Sequence, residues 1–308
     1  MNAALIAAFL VTRTIAPPDV FTLGGTQVIN LPDQTVYPGS IFYGTGGTHL
    51  TSIDPPPTGH DGVQNTGVGI KALDQITTGY NDTAVGYNAA PVLTSGYWDT
   101  AIGLRALFFT TTGHENTGLG AEALYGNVSG SQNTAAGSKA LRALATGDNN
   151  VATGFEALMS ANGAWYNTAT GHSALRSNVT GSFNLASGMH ALYFKTSGDM
   201  NTALGTYSLR ENVTGSRNVA IGYSAGRHAL GSDRLFIDNR DRGTEANEPA
   251  MALVWGIMGA TVNDQTFGVN AKHVHVPLAN YPDNATALAA GLVVGDLYHT
   301  DGVVKVVF

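Results

Sequence analysis

Through the middle of the chain the apolar and polar positions recur every 17 residues, ten times, without insertion or deletion. Each unit opens on Asn or Asp, at Asn65, Asp82, Asp99, Asn116, Asn133, Asn150, Asn167, Asn184, Asn201 and Asn218. Counting that residue as position 1, position 3 is Ala or Gly and position 5 is always Gly, from Gly69 to Gly222. Position 8 is Ala or, once, Ser208; position 9 is Leu except at Ala90 and Gly226. A fixed short period means one structural unit stacked on copies of itself. Seventeen residues are too few for a helix pair or a propeller blade, which take roughly 34 to 45. They suit two short strands and two turns. Asp82-Thr-Ala-Val-Gly86 and Asp99-Thr-Ala-Ile-Gly103 place β-branched residues before a Gly, and Thr78-Gly79, Ser95-Gly96, Thr146-Gly147 and Thr180-Gly181 mark the second turn. The predicted fold is all-β, a β-solenoid (parallel β-roll) of ten coils. At about 4.8 Å per coil, it forms a rod of roughly 50 Å.

The Asn column reads as a ladder of stacked amides that accepts the turn before each strand, because ten equal copies serve structure better than a binding site. The flanking text differs. Residues 1–64 form an N-terminal attachment segment. Its apolar run Asn2–Val11 lacks a basic flank and falls short of the about 20 residues that span a bilayer. Pro17-Pro18, Gly24-Gly25, Gly46-Gly47 and Pro55-Pro56-Pro57 break the next stretch, with short strands expected at Val36-Tyr37 and Ile41–Tyr43. Units fill 65–234. In 235–308 the period stops, and strands are predicted at Ala252–Gly256, Gln265–Val269 and His273–Val276. A short helix capped by Asp283-Asn284 runs to Ala290, and a hairpin turns through Asp301-Gly302. These residues read as a C-terminal β cap with a short helix, closing the rod.

Composition narrows the picture. The 308 residues include 39 Gly and no Cys, so disulfides and thiolate zinc sites are excluded. The net charge is −7, yet the repeats hold ten basic and ten acidic residues, so the rod is neutral and presents no nucleic-acid surface. About one Leu and several Ala per coil make a thin interior, from which association into an oligomer sharing an apolar axis follows.

Few groups suggest chemistry. Aromatic pairs at Tyr97-Trp98, Phe108-Phe109, Trp165-Tyr166 and Tyr193-Phe194 offer stacking surfaces for envelope sugars, against which stands a role in covering turns or filling contacts between chains. His273 and His275 share one face of a strand, which reads as an ordinary half-exposed strand or, in a trimer with that face inward, as six imidazoles on the axis that would hold one octahedral transition-metal ion. Asp99, Glu115, Glu122, Asp148 and Glu156 do not recur in pairs, which argues against a glycosidase, and no Lys-Ser or Lys-Thr follows a phosphate loop. Position 2 is Thr in seven units but Val151, Leu185 and Val219 in the others, so no unbroken Thr plane for ice binding results.

The Asn-Thr-Ala-x-Gly-x-x-Ala-Leu units, Arg234-Leu-Phe-Ile-Asp-Asn239 and Gly295-Asp-Leu-Tyr-His-Thr-Asp-Gly-Val-Val-Lys-Val306 resemble bacteriophage tail-fibre and related virion fibre proteins. The repeat is also similar to the head of trimeric autotransporter adhesins. The resemblance implies a homotrimer and a non-enzymatic adhesive fibre of the virion. Its N-terminus would dock on tail or baseplate proteins, and it would contact a host surface glycan or protein without membrane insertion. A bacterial adhesin head and a polysaccharide-cleaving tailspike are the alternatives. The chain carries neither the heptad stalk and strand anchor of the adhesins nor room after Arg234 for the self-cleaving chaperone domain of many phage fibres.

Overall fold

A computed structural model of the chain describes residues 64–244, 246 and 253–257, with further strands at 20–23, 26–30, 41–43, 266–269, 297–300 and 303–306. Positions 2 to 4 of each unit form a three-residue strand. The ten are Thr66–Val68, Thr83–Val85, Thr100–Ile102, Thr117–Leu119, Thr134–Ala136, Val151–Thr153, Thr168–Thr170, Leu185–Ser187, Thr202–Leu204 and Val219–Ile221, labelled β4 to β13. Each pairs in parallel with the same positions one unit on, as Ala152 with Ala169 and Ala169 with Ala186. The 17-residue period is therefore the sheet register itself. The parallel β-solenoid of ten coils read from the sequence is the fold, with no α-helix among the described residues.

The sheet continues past both ends of the repeats. Val20–Leu23 (β1), Thr26–Asn30 (β2) and Ile41–Tyr43 (β3) precede them, with β1–β2 and β2–β3 antiparallel and β3 parallel to β4. Arg234–Ile237 (β14) pairs in parallel with β13, and Val254–Ile257 (β15) and Thr266–Val269 (β16) follow antiparallel. A second compact unit, residues 271–308, contains the antiparallel pair Leu297–Thr300 (β17) and Val303–Val306 (β18), with Thr300 opposite Val303 as in the expected hairpin. The β1–β2 pairing was not expected, because the sequence around Gly24-Gly25 was read as a break. The helix expected over 283–290, the strands at 36–37 and 273–276, and the run Asn2–Val11 lie outside the described residues.

The expectation of two strands per coil is corrected to one, apart from an isolated parallel bridge between Tyr80 and Tyr97. The backbone explains why. Positions 7, 9 and 17 are left-handed: in the fifth coil Lys139, Leu141 and Asn149 have φ of 59°, 50° and 59°. A left-handed residue cannot belong to a pleated strand, yet each gives its N–H to a neighbouring coil. Lys139 donates to Ala121 O at 2.9 Å, Leu141 to Ala157 O at 3.0 Å and Asn149 to Ser131 O at 3.1 Å. The ladder of hydrogen bonds thus runs on through the turns without extended backbone.

Position 5 shows why Gly is invariant. Its φ lies between 114° and 142° in all ten coils, a region closed to L side chains. A Cβ on Gly137 would stand 2.5 Å from Gly154 O of the next coil.

The interior is built from position 3 (Ala or Gly), position 8 (Ala), position 9 (Leu) and position 12, all closed to solvent within one chain. Thin filling therefore suffices for a single solenoid, since Ala columns let the opposed walls approach. Position 1 lines the same interior. Asn150 N and Nδ2 both donate to Asn133 Oδ1 at 3.0 Å, while Nδ2 also donates to Ala164 O at 2.7 Å, closing its own coil. The same pattern at Asn167, Asn184, Asn201 and Asn218 makes the expected amide ladder. The last coil is one residue shorter, so Val219 pairs with Leu235 and Ala220 with Phe236. Phe236 is buried where the coils carry Ala, and a Cβ on Gly226 would lie 2.6 Å from its Cδ2. Gly226 interrupts the Leu column to admit this ring.

Truncating Leu141 or Leu158 to Ala is expected to cost about 2–5 kcal/mol by denaturant unfolding, because both are fully buried. Arg142→Ala should stay below about 1 kcal/mol, since its 2.8 Å pair with Glu122 is 41% exposed at the Arg side chain. Gly137→Ala should destabilise by more than about 2 kcal/mol, whereas Gly163→Ala, whose Cβ would meet nothing nearer than Thr146 Oγ1 at 3.7 Å, should cost less.

Candidate functional site

The turns that carry the coil around its interior throw side chains outward at fixed positions, so the surface is a set of ridges parallel to the rod. The eight aromatic candidates fall on two of them, positions 16–17 and 10–11. On the first, Tyr80, Tyr97 and His114 form a continuous stack, with centroids 5.0 and 4.6 Å apart and planes 5° and 14° from parallel. Trp98 meets Tyr97 edge-on at 5.4 Å and is 53% exposed. Farther along, Tyr166 stacks on Phe183 at 5.0 Å and 10°, with Trp165 and Met200 exposed beside them. On the second ridge Phe108 stacks on Tyr125 at 5.1 Å, and Phe109 stands edge-on to both.

The stacking axis is the rod axis, because neighbouring rungs place equivalent rings one coil apart. Rings inside a ladder therefore cover each other's faces and present edges outward. Trp98, Phe109 and Phe194 are turned across the ladders, and together with Trp165 they are the exposed candidates outside a stacked pair. Tyr97, Phe108 and Tyr193 are half-buried as the inner member of each pair. The sequence reading missed Phe183, Met200, Phe155 and Tyr223, all exposed. Reading position 17 down the repeats, rather than looking for adjacent aromatic pairs, brings out Tyr166, Phe183 and Met200 as one row.

Cations interleave with these rings. The Arg176 and Arg210 guanidinium groups lie 5.7 and 5.5 Å from the Tyr193 centroid, and Arg210 is 4.8 Å from that of Phe194. Glu122 and Glu156 are held by Arg142 and Arg176 at 2.8 and 2.7 Å, so both carboxylates are engaged in ion pairs across coils. At the end of the repeats His228 bridges two carboxylates, with Nδ1 2.9 Å from Glu211 and Nε2 2.8 Å from Asp241. Burial opposes its charge, but the hydrogen bonds to Asp241 and Glu211 prevail and its pKa lies above the ordinary imidazole value. His190 moves the other way, through burial and then through His172, Arg210 and Arg176.

Among the described residues no group of three or more His, Asp or Glu side chains is arranged to hold a metal ion. His273 and His275 lie outside those residues. An open hollow of about 280 Å³ at the end of the last coil is lined by Ile221, Gly222, Ile237, Asp238, Asn239 and Leu253. No helix among the described residues is long and apolar enough to cross a membrane. Comparison of the chain with known protein families, curated proteins and solved structures finds no match.

A lysine lies inside the coils. Lys195, at position 12 between Asn178 and Asn212, is fully buried; its Nζ donates to Asn212 Oδ1 at 3.1 Å and to Gly215 O. Desolvation, only partly offset by Asp199, lowers its pKa from 10.5 to about 8. At pH 7 the fold holds a charge in its interior; between about 8 and 10.5 the folded state has released a proton that the unfolded chain keeps, so the contribution of this group to stability rises with pH there. Lys195→Asn, which extends the flanking Asn column, is expected to be more stable than the unaltered chain by about 1–3 kcal/mol at pH 7, and this difference is expected to shrink by pH 10. Denaturant unfolding at pH 7 and pH 10 checks both.

Proposed function

We propose that the chain is a non-enzymatic structural and adhesive fibre of a bacteriophage particle, held by its N-terminal residues on the tail or baseplate and touching the host surface along its ridges. The observation that carries this reading is the unbroken solenoid: ten equal coils form a stiff axial element whose outward positions repeat as parallel rows. Such a surface suits many weak contacts summed by avidity rather than one enclosed site. Trp98, Phe109, Trp165 and Phe194 are the residues assigned to a host glycan, because their rings are exposed and are not part of a stacked pair. Tyr97, Phe108, Tyr166 and Tyr193 support them from within the ladders.

The functional unit in this reading is a homotrimer. Positions 4 and 6 form an exposed apolar strip, with Val68, Ile70, Ile102, Leu104 and Leu119 on the first four coils and Ile221 and Tyr223 on the last. Exposed apolar strips of this kind mark association surfaces. Phe155 and Met189 at position 6 continue the strip between them, with Ser138, Thr153, Thr170 and Ser187 as polar breaks, and a strip kept at the same positions from coil to coil supports a parallel assembly in register.

Light scattering is expected to give three times the chain mass of 31.9 kDa, and Ile102→Lys with Leu119→Lys to lower it. A monomer for the unaltered chain would overturn the trimer. The purified protein should compete with phage for host cells. The Trp98→Ala, Trp165→Ala double variant should compete at least tenfold less well with its thermal midpoint unchanged. Release of new reducing ends from host polysaccharide would instead establish an enzyme.

A further inference from the structure

Two rungs of the amide ladder are carboxyls. Asp82 and Asp99 stand at position 1 of consecutive coils, each 1% exposed. Their Oδ1 atoms do what an Asn Oδ1 does: Asp82 accepts from Asp99 N–H at 2.8 Å and Asp99 from Asn116 N–H at 2.8 Å. The other oxygen takes the seat of the amide nitrogen. In Asn units that nitrogen donates to the position-15 carbonyl, as Asn65 does to Gly79 O at 2.8 Å and Asn116 to Gly130 O at 2.9 Å. A Cβ on Gly113 would lie beside both Gly130 O and Asn116 Nδ2; one on Gly79 would lie beside both Gly96 O and Asp82 Oδ2, 2.5 and 2.9 Å away. The corresponding site on Gly96 lies beside Gly113 O and Asp99 Oδ2. Each Oδ2 thus stands in place of the donor to a carbonyl oxygen, and neither has a hydrogen-bond partner. Where the Asn coils pair an amide N–H with this carbonyl, the two Asp coils set a carboxyl oxygen against it, an arrangement that a carboxyl proton completes.

We propose that Asp82 and Asp99 are protonated in the folded rod, each donating Oδ2–H to the carbonyl of Gly96 and Gly113 respectively, and that this pair is a pH-operated weak point in the first three coils. Ionisation replaces two hydrogen bonds by two buried repulsions between carboxylate and carbonyl. The surroundings reinforce it. Above and below stand the neutral amides of Asn65 and Asn116, and Ile76 and Leu93 approach from position 12. The charges acting on the pair are Asp99 on Asp82 and Glu115 on Asp99, both of the same sign. Tyr80, Tyr97 and His114 follow the column at position 16. Desolvation first, against the backbone hydrogen bond and with that repulsion, raises Asp82 to about 9; desolvation first likewise raises Asp99 to about 7. The folded state keeps protons that the unfolded chain has lost above about pH 4, so stability falls as pH rises through 7 towards 9.

The test compares the full chain with the Asp82→Asn, Asp99→Asn double variant, which restores the ladder's own residue and so leaves the fold intact. The thermal midpoint of the unaltered chain is expected to fall from pH 5 to pH 9 while that of the variant changes less, with the variant the more stable at pH 9. The infrared band of a protonated carboxyl should be present at pH 6 and absent from the variant. Parallel pH profiles, absence of that band, or recovery of the pH 9 midpoint by calcium or magnesium in the unaltered chain alone would each overturn the proposal, the last by assigning the pair to a cation.

Discussion

Hydrogen bonding along the rod axis, from each coil to the next, is the constraint on which the rest of this structure depends. Its clearest mark is the backbone. The four positions with positive φ, Gly at 5 and side-chain-bearing residues at 7, 9 and 17, each send their N–H to an adjacent coil. A left-handed L residue costs about 1 kcal/mol, and a coil carries three, so a lone coil has no means of holding its shape. Stacked coils offset the strain with axial bonds, Ala and Leu contacts and the amide ladder. Stability is accordingly a property of neighbours, as in other quasi-one-dimensional proteins.

The same constraint accounts for how much of the fold was legible in the sequence. Axial bonding at a fixed offset forces a fixed period, and the period is visible in Asn65 to Asn218 and Gly69 to Gly222. The interior columns were equally plain, because Ala and Leu alternate with residues of every other kind. The number of strands per coil was not, since Leu141 in a left-handed conformation has the same letter as Leu in a strand. Nor was the β1–β2 pairing, because the sequence around Gly24-Gly25 looks like one more break in a Gly-rich stretch.

The candidate site was legible by composition and obscured by direction. Adjacent pairs such as Tyr97-Trp98 and Phe108-Phe109 located the ridges, but whether a ring offers its face or its edge depends on the rungs above and below. Tyr80 and His114 lie 17 residues to either side of Tyr97 and decide its accessibility. Buried titratable groups were harder still: Asp82 and Asp99 passed as ordinary alternatives to Asn at a turn, and Lys195 sat in a variable column. Their significance comes from which atoms face them, which is a property of the stack.

The ends of the rod carry one more meaning. Along position 3 every coil has Ala or Gly; the register partner before Gly67 is Phe42 and the partner after Ala220 is Phe236. A stack of like coils contains nothing that fixes its own extent, because each added turn meets the same environment as the last. A large residue written into the small-residue column at either end supplies that missing information. The number of units between the two is then a gene-encoded ruler, and duplication or loss of a unit changes reach in steps of one coil while leaving both termini of the sheet as they are.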